Sequence, residues 1–157
     1  MCLSLNTSTV VVNIPRLDVR GFDGLIDAFE HLMDVPDSVV EDALTVMETI
    51  AAKEIRTSGE NYGVRDPESS VHVLDKIKVN KPKRTKEGGY ADVTFSGTRT
   101  RNGKQTRNAE IAFINEYGKR NQQARPFVGE AMNKNAEKIV QAGANVIGEW
   151  MEKEFSK

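Results

Sequence analysis

Residues 109–131 read AEIAFINEYGKRNQQARPFVGEA and combine two local patterns. From Ala109 to Phe113 every second residue is apolar, and this period of two is typical of a strand with one buried side. Gly118 can end such a strand because glycine accepts a positive φ, and Pro126 supplies the backbone geometry of a helix start. The segment therefore predicts a strand, a short polar loop and a helix, in that order.

The helix that starts at Pro126 is predicted to extend over residues 126–155. Its apolar side chains recur at intervals of three and four residues, which indicates one broad buried stripe. The stripe consists of Phe127, Val128, Ala131, Met132, Ala136, Ile139, Val140, Val146, Ile147, Trp150 and Met151. At 1.5 Å per residue the helix would be about 45 Å long, so its end can overhang a domain of this size. Gly143 and Gly148 weaken it, and we favour close helix contact or a bend over simple tolerance as their reason.

A β-hairpin is predicted just before this segment. Ala91, Val93 and Phe95 alternate with polar residues as in a strand with one core-facing side. Asn102-Gly103 is a strong two-residue hairpin turn, because both positions need a positive φ. The returning strand would then be the apolar alternation that begins at Ala109.

The register of this hairpin contains a conflict. The turn pairs Arg101 with Lys104, and the same register would place Phe95 opposite Glu110, on the wrong face. Because a slip of one residue moves every side chain to the other face, we expect a bulge at Gly97.

The tip of the hairpin, residues 97–107, is polar and basic. No residue from Thr98 to Arg107 is apolar, so neither face of the tip can be buried in the core. We expect the tip to project from the body, either as an ordered ribbon against a neighbour or as a mobile arm. Its basic side chains are those of Arg99, Arg101, Lys104 and Arg107.

Charge is distributed unevenly along the chain. Residues 76–107 carry ten bases and two acids, a net +8, whereas the remainder carries −9 of the total net charge of −1. This asymmetry suits head-to-tail association of copies, or an anionic partner for the basic segment. A solvated hairpin whose Lys and Arg residues keep its edges soluble explains the basic segment equally well.

The N-terminal third predicts a strand and two helices. The strand covers residues 8–14 and ends at Pro15, which cannot donate to a ladder. The first helix covers residues 21–33, where apolar residues share one helical face. The second begins after Pro36.

That second helix is the best specified of the N-terminal half. Ser38 and Glu41 have the spacing of a capping box, and Gly59 is a natural left-handed terminator. Between them lies a regular apolar stripe formed by Val40, Leu44, Met47, Ile50, Ala51 and Ile55.

The region between this helix and the hairpin is more irregular. Asp66-Pro67-Glu68 indicates a short helix, with Asp66 as cap and Pro67 in the first turn. Ile77–Val79 alternates like a strand that Pro82 closes, and Gly88-Gly89 indicates a turn. Residues 1–157 are therefore expected to form one α+β domain, with a small antiparallel sheet of about four strands, including the long basic hairpin, and two to three packed helices.

Candidate catalytic groups are sparse. Cys2 is the sole cysteine, and His31 and His72 lie too far apart in sequence for a metal motif, so each is expected to be a surface or capping residue. The chain has no phosphate loop, no dinucleotide fingerprint and no Gly-x-Ser-x-Gly elbow. Asp37, Glu41 and Asp42 cluster near a helix start, where the helix dipole explains them. We expect no enzyme activity, no catalytic or metal site, no cofactor and no membrane span, and a protein made in the cytoplasm.

Residues 109–131 resemble the phage tail-component family named for gene product ten of phage Hong Kong ninety-seven. In that family a strand ends in an aromatic-x-Glu-Tyr/Phe-Gly turn, and a polar loop leads to Ala-x-Pro-Phe and a long helix. The matching residues here are Phe113, Asn115, Glu116, Tyr117, Gly118, Ala124, Pro126, Phe127 and Ala131.

The rest of the match is less specific. Residues 70–79 (SVHVLDKIKV) are similar to a Gly-x-Leu-x-x-Ser-Ile stretch of the family, with His72 and Lys76 as departures. The motif also has a packing interpretation, in which Phe127 anchors the helix on the sheet beside Phe113.

The resemblance implies a structural virion protein of a long-tailed (siphovirus-type) bacteriophage. Such a tail-completion protein forms a ring at the neck, between a head-completion (stopper) protein and the tail terminator or tail tube protein, and acts as a head–tail connector. Its partners would be copies of itself in a cyclic ring, with six-fold symmetry expected first, and genomic DNA that passes through the lumen without sequence readout. The basic hairpin would face an acidic neighbour or this lumen.

Two other functions remain open on the sequence. The basic hairpin could serve a nucleic-acid-binding accessory protein, although its tip lacks the aromatic side chains that stack on bases. Alternatively the chain could be a tail assembly chaperone that is not retained in the virion.

Overall fold

The computed structural model describes residues 11–13, 16–18, 35–65, 72–85, 88–101 and 103–156. The helices are α1 (Asp37–Asn61), α2 (Asn108–Tyr117) and α3 (Phe127–Phe155), with a 3₁₀ turn at Val73–Lys76. The strands are β1 (Val11–Asn13), β2 (Arg16–Asp18), β3 (Ile77–Val79), β4 (Lys83–Thr85), β5 (Gly88–Tyr90), β6 (Asp92–Phe95), β7 (Thr98–Arg101) and β8 (Lys104–Arg107). The protein has the expected α+β fold with a long C-terminal helix.

The main sheet is antiparallel and has the strand order β1-β2-β6-β3. The predictions of a strand within residues 8–14, at least over β1, and of a strand at Ile77–Val79 are confirmed. Two further pairs, β4-β5 and β7-β8, form separate two-stranded ribbons. The basic tip therefore pairs only with itself among the described strands, whereas the sequence placed it in the main sheet. The predicted turn at Gly88-Gly89 is wrong, because both glycines lie in β5 and pair with β4.

Helix α1 starts and ends differently from its prediction. Pro36 is the residue before the first turn and no side chain caps the helix, so the expected capping box of Ser38 and Glu41 does not form. Gly59 does not end the helix either. A Cβ at Gly59 would lie 2.4 Å from a methyl group of Leu74, so this glycine provides room for packing. The left-handed residue comes later, at Gly63 with φ +63°.

The largest contact in the core is between α1 and α3. Ile55, Phe127 and Ile139 are almost completely buried there, and burial of each such side chain stabilises the fold by roughly 1.5–3 kcal/mol. Gly143 lies against α1, since a Cβ would come within 2.4 Å of the Met47 sulfur, which confirms the expected close helix contact. A Cβ at Gly148 would meet nothing within 4 Å, so there the reading as a tolerated residue is correct.

The C-terminal end of α3 packs on the rest of the domain, whereas its predicted length suggested that it could overhang. Trp150 contacts a second small cluster, formed by Val35, Val40 and Leu44. Residues 152–154 and Ser156, which follow, are exposed.

The predicted strand over Ala109–Phe113 is wrong, because these residues belong to helix α2. Ala109 and Ala112 are buried one helical turn apart, so the helical period of 3.6 describes the burial better than a period of two. The chain leaves the ribbon at Asn108, whose side chain is completely buried and donates a 2.7 Å hydrogen bond to the Ser96 carbonyl oxygen.

This change of element removes the register conflict. Arg101 pairs with Lys104 as predicted, and Gly103 has φ +74° in the turn. Since Glu110 is in a helix, it never stands opposite Phe95. Gly97, with φ +76°, separates β6 from β7 instead of forming a bulge in one continuous hairpin.

Three sequence predictions lie outside the described residues. These are the helix over residues 21–33 that contains His31, the helix start at residues 66–68, and the place of Cys2.

Candidate binding surfaces

The turn between α2 and α3 is held by a buried carboxylate. Glu116 is near the end of α2, and its two carboxyl oxygens accept hydrogen bonds from the backbone N–H groups of Val128 (2.8 Å) and Gly129 (2.9 Å). These are two of the N–H groups that the start of α3 leaves without partners in its own helix. Burial raises the pKa of Glu116 above its usual range, and the two backbone donors oppose part of that rise. Glu116 therefore caps a helix that begins eleven residues further along the chain.

Gly118 makes the tight turn that brings Glu116 to this position. Its φ of +75° and ψ of −176° belong to a region that is essentially reserved for glycine. A Cβ would lie 2.7 Å from the Gln122 carbonyl oxygen and 2.8 Å from the Ala124 nitrogen, and both are backbone atoms. The loop is further closed by a hydrogen bond from the Arg125 N–H to the Asn115 carbonyl oxygen.

The motif residues divide into a buried set and a more exposed set. Asn115, Glu116, Phe127 and Ala131 are buried. Phe113, Tyr117, Gly118, Ala124 and Pro126 are half-buried or exposed. The first set holds the two helices together, and the second set is accessible to partners.

Phe127 anchors α3 on the sheet, but not beside Phe113 as the packing interpretation expected. Phe127 packs edge-on against Phe95, with ring centroids 6.0 Å apart, and Phe113 is 42% exposed. Phe113 stacks instead on Tyr117, one helical turn away, which is 51% exposed. We call these two side chains the aromatic pair.

The bases of the tip lie on two faces of the β7-β8 ribbon. Arg99 pairs with Thr106, and both side chains are half-buried against the body. Lys104 stands two residues from Thr106, on the same face, whereas Arg107 is exposed on the other face. For Arg101 only the backbone position, opposite Lys104, is described. The base of the ribbon is thus half-buried, so the ribbon projects less completely than expected, while Lys104 and Arg107 are exposed.

An open groove lies between the base of the ribbon and the body. It has a volume of about 560 Å³ and brings together four segments that are distant in sequence. Its basic lining residues are Arg65, Arg99, Lys119 and Arg125. His72, which also lines it, is half-buried and precedes the 3₁₀ turn, but its side chain makes no capping hydrogen bond, so the expected role as a capping residue is not seen. None of the described lining residues is acidic.

A buried acid lies on the other side of the core. Glu48 of α1 is 3% exposed, and neither carboxyl oxygen has a hydrogen-bond partner of normal geometry. Burial raises the pKa of Glu48 to about 7, and the nearby carboxylate of Asp92 adds to the rise while its backbone N–H opposes it. Glu48 borders a cavity of only about 20 Å³. This cavity is too small for a substrate.

No group of three or more His, Cys, Asp or Glu side chains that could hold a metal ion is found in the described part of the chain. Across the same residues, no helix is long and apolar enough to cross a membrane. Comparison of the chain with protein-family models, with curated proteins and with solved structures finds no match.

Sequence reasoning missed the groove and the buried acid. Arg65, Lys119 and Arg125 come from polar loops whose spatial proximity no local pattern indicates. Glu48 did carry a signal, since it lies four residues from both Leu44 and Ala52 and thus on the buried stripe of α1.

Proposed function

We propose that this chain is a structural subunit of a long-tailed bacteriophage particle, and that copies of it form a ring at the head–tail junction. Head-completion protein would lie on one side of the ring and tail terminator or tail tube protein on the other. Genomic DNA would pass through the lumen. Six-fold symmetry is the first expectation, and contacts between copies in such a ring are heterologous and closing.

The proposal is carried by one observation, the aromatic pair on α2. Phe113 and Tyr117 leave large rings uncovered on a helix whose other side is well packed. Aromatic side chains are enriched at protein interfaces, where they contribute much of the binding energy. The same two positions belong to the motif that resembles the phage family, so α2 carries both the resemblance and the exposed aromatic surface.

Charge supports contacts between copies. The ribbon exposes Lys104 and Arg107, and residues outside 76–107 carry a net −9. A basic projection on one copy can therefore meet an acidic surface on the next. The motif itself also stabilises the subunit through Glu116 and Gly118, as a scaffold requires.

The test is size-exclusion chromatography with light scattering, on the chain alone and mixed with the head-completion and tail-terminator proteins of its phage. We expect a defined ring, alone or on mixing. A chain that stays monomeric under both conditions would contradict the proposal. Mass spectrometry of purified virions separates a ring subunit, which is retained, from an assembly chaperone, which is absent.

A further inference from the structure

The groove beneath the ribbon is a second candidate binding surface, separate from the aromatic pair. Its cations come from the loop after α1 (Arg65), from β7 (Arg99) and from the α2-α3 loop (Lys119 and Arg125). Chain segments of like charge repel, so a fold that collects four cations around one open space has concentrated positive potential there. Its volume of about 560 Å³ is within the usual range of ligand sites.

Two of these cations are held in place by the protein. The Arg125 guanidinium donates a 2.8 Å hydrogen bond to the Gly63 carbonyl oxygen. Arg65 forms an ion pair with Asp75, with a shortest N–O distance of 2.8 Å, and remains 40% exposed. Both contacts orient a guanidinium at the wall of the groove. Arg125 keeps further N–H groups for a ligand, because arginine has five donors. The charge of Arg65 is balanced by Asp75 and by Glu60 at 3.7 Å, so Arg65 adds little to the positive potential of the groove.

The remaining lining is mixed: Val64, Val73, Ile111 and Ile114 are apolar, and none of the described lining residues is Phe, Tyr or Trp. Side-chain amides of Asn115, Asn121 and Gln122 and the imidazole of His72 stand among the cations. Amide and guanidinium groups are the usual donors to phosphate and sugar oxygens. Because the described lining offers no Phe, Tyr or Trp ring on which a base could stack, contact with the sugar–phosphate backbone is favoured over contact with the bases.

The positive surface also continues out of the groove. Arg99 lies in the groove, and Lys104 is on the same face of the ribbon, two residue pairs nearer the turn. A line of cations matches an extended polyanion better than a single small ion, which would need donors that converge on one point.

We infer that this groove binds phosphate groups, and that its ligand is the sugar–phosphate backbone of nucleic acid, held without sequence preference. The inference deepens the proposed function, since it assigns the contact with DNA to the groove and one face of the ribbon, and it rests on that function for the source of the DNA. Arg107, on the opposite face, is not part of the site.

The experiment measures fluorescence anisotropy of a labelled 30-base-pair DNA duplex at rising salt concentration. The full chain is compared with the double variant Arg99→Gln, Lys119→Gln. The matched control is Lys53→Gln, Lys153→Gln, which has the same net charge but changes exposed residues outside both the groove and the ribbon. The single variant Lys119→Gln, at an exposed loop position, covers the case in which the double variant fails to fold.

We expect the natural chain to bind with an affinity that falls steeply with salt. The double variant should lower the slope of log K against log salt by about 1.8, at about 0.9 for each lost phosphate contact, and the single variant by about half of that. The control should keep the natural slope. Binding of the groove variants that equals that of the control, or no binding by the natural chain at 50 mM salt, would overturn the inference.

Two competitors identify the source of the ligand. Inorganic phosphate at millimolar concentration should displace DNA only weakly, and polyglutamate of equal charge should displace it less well than unlabelled DNA. If inorganic phosphate displaces DNA at low concentration, the groove is a small-ion site. If polyglutamate displaces DNA as well as unlabelled DNA does, the partner is an acidic protein. Either result rejects a nucleic-acid site. Light scattering on the same samples distinguishes failure of this inference from failure of the proposed function. If the chain forms oligomeric rings that do not bind DNA, this inference is wrong and the proposed function still holds.

Discussion

Gly118 shows how a single residue controls the arrangement of two helices. Its backbone conformation is costly for any residue with a Cβ, and the nearest atoms to such a Cβ are backbone atoms that cannot rotate away. The glycine therefore enforces the reversal that aims Glu116 at the start of α3. Its presence in the motif has a packing explanation.

Replacing Gly118 with alanine should destabilise the protein by about 3 kcal/mol, since backbone strain and a steric clash add. Urea denaturation followed by circular dichroism measures the change. Gly148→Ala is the matched control, because a Cβ there meets nothing within 4 Å and alanine favours the helix by up to about 1 kcal/mol. The two variants should thus shift the midpoint in opposite directions, and a harmless Gly118→Ala would refute the account of this turn.

Glu48 makes the stability of the protein depend on pH near neutrality. In the unfolded chain its pKa is about 4.5, and burial raises it to about 7 in the fold. The folded state therefore holds its proton more tightly, and stability falls as pH rises from about 4.5 through 7.

Glu48→Gln replaces the acid with a neutral side chain of the same shape. At pH 8.5 the variant should be more stable than the natural chain by about 3 kcal/mol, the equivalent of the pKa difference, and at pH 4 the two should be nearly equal. Urea denaturation at several pH values measures both. Parallel stability curves for the two proteins would show that Glu48 is not the group responsible.

At the scale of elements, the cap that Glu116 supplies to α3 is the main link between the C-terminal helices. Capping from a distant residue joins local helix stability to tertiary structure, because the acceptor is present only when α2 has docked. Pro126, at the N-cap position of α3, has no polar side chain and cannot cap the helix, and the carboxylate of Glu116 supplies that cap instead.

Glu116→Gln should destabilise the fold by about 1–2 kcal/mol, since an amide offers only one oxygen to the two N–H groups. Guanidinium denaturation gives the value, with exposed Glu137→Gln on α3 as a control of equal charge change. Loss of stability in the control but not in Glu116→Gln would contradict the capping role.

Element type was hardest to predict at residues 108–117. The apolar residues there satisfy both a period of two and a helical period, so the local pattern could not separate strand from helix. Burial of Asn108 and its bond to Ser96 resolve the ambiguity, and neither could be known before the chain was packed. By contrast, α3 has a stripe too long and too regular for any other element, and its bounds were predicted to within one residue.

At the scale of the whole molecule, a closed core coexists with two uncovered features, the aromatic pair and the basic ribbon. The core buries the apolar faces of α1 and α3 and leaves the exposed face of α2 for other contacts. Assembly should therefore depend on residues that hardly affect folding.

The double variant Phe113→Ser, Tyr117→Ser tests this separation. Its free energy of unfolding should fall by no more than about 2 kcal/mol, because each aromatic side chain is only about half buried, whereas assembly of the oligomeric ring should be lost in light scattering. Val46→Ser, at an exposed apolar position on α1, should leave assembly intact. If the double variant still forms oligomeric rings of unchanged size and stability, the aromatic pair does not belong to the interface.

Local sequence patterns were sufficient for the α+β class, the long C-terminal helix, the turn at Asn102-Gly103 and the basic character of the tip, because periodicity, turn chemistry and charge act over a few residues. The groove, the cap on α3 and the buried Glu48 depended on how distant segments pack. Arg65, Arg99 and Arg125 come to line one groove only after the core has formed and placed their chain segments on the same side of the domain. Their proximity is a property of the folded chain, and no short stretch of residues encodes it.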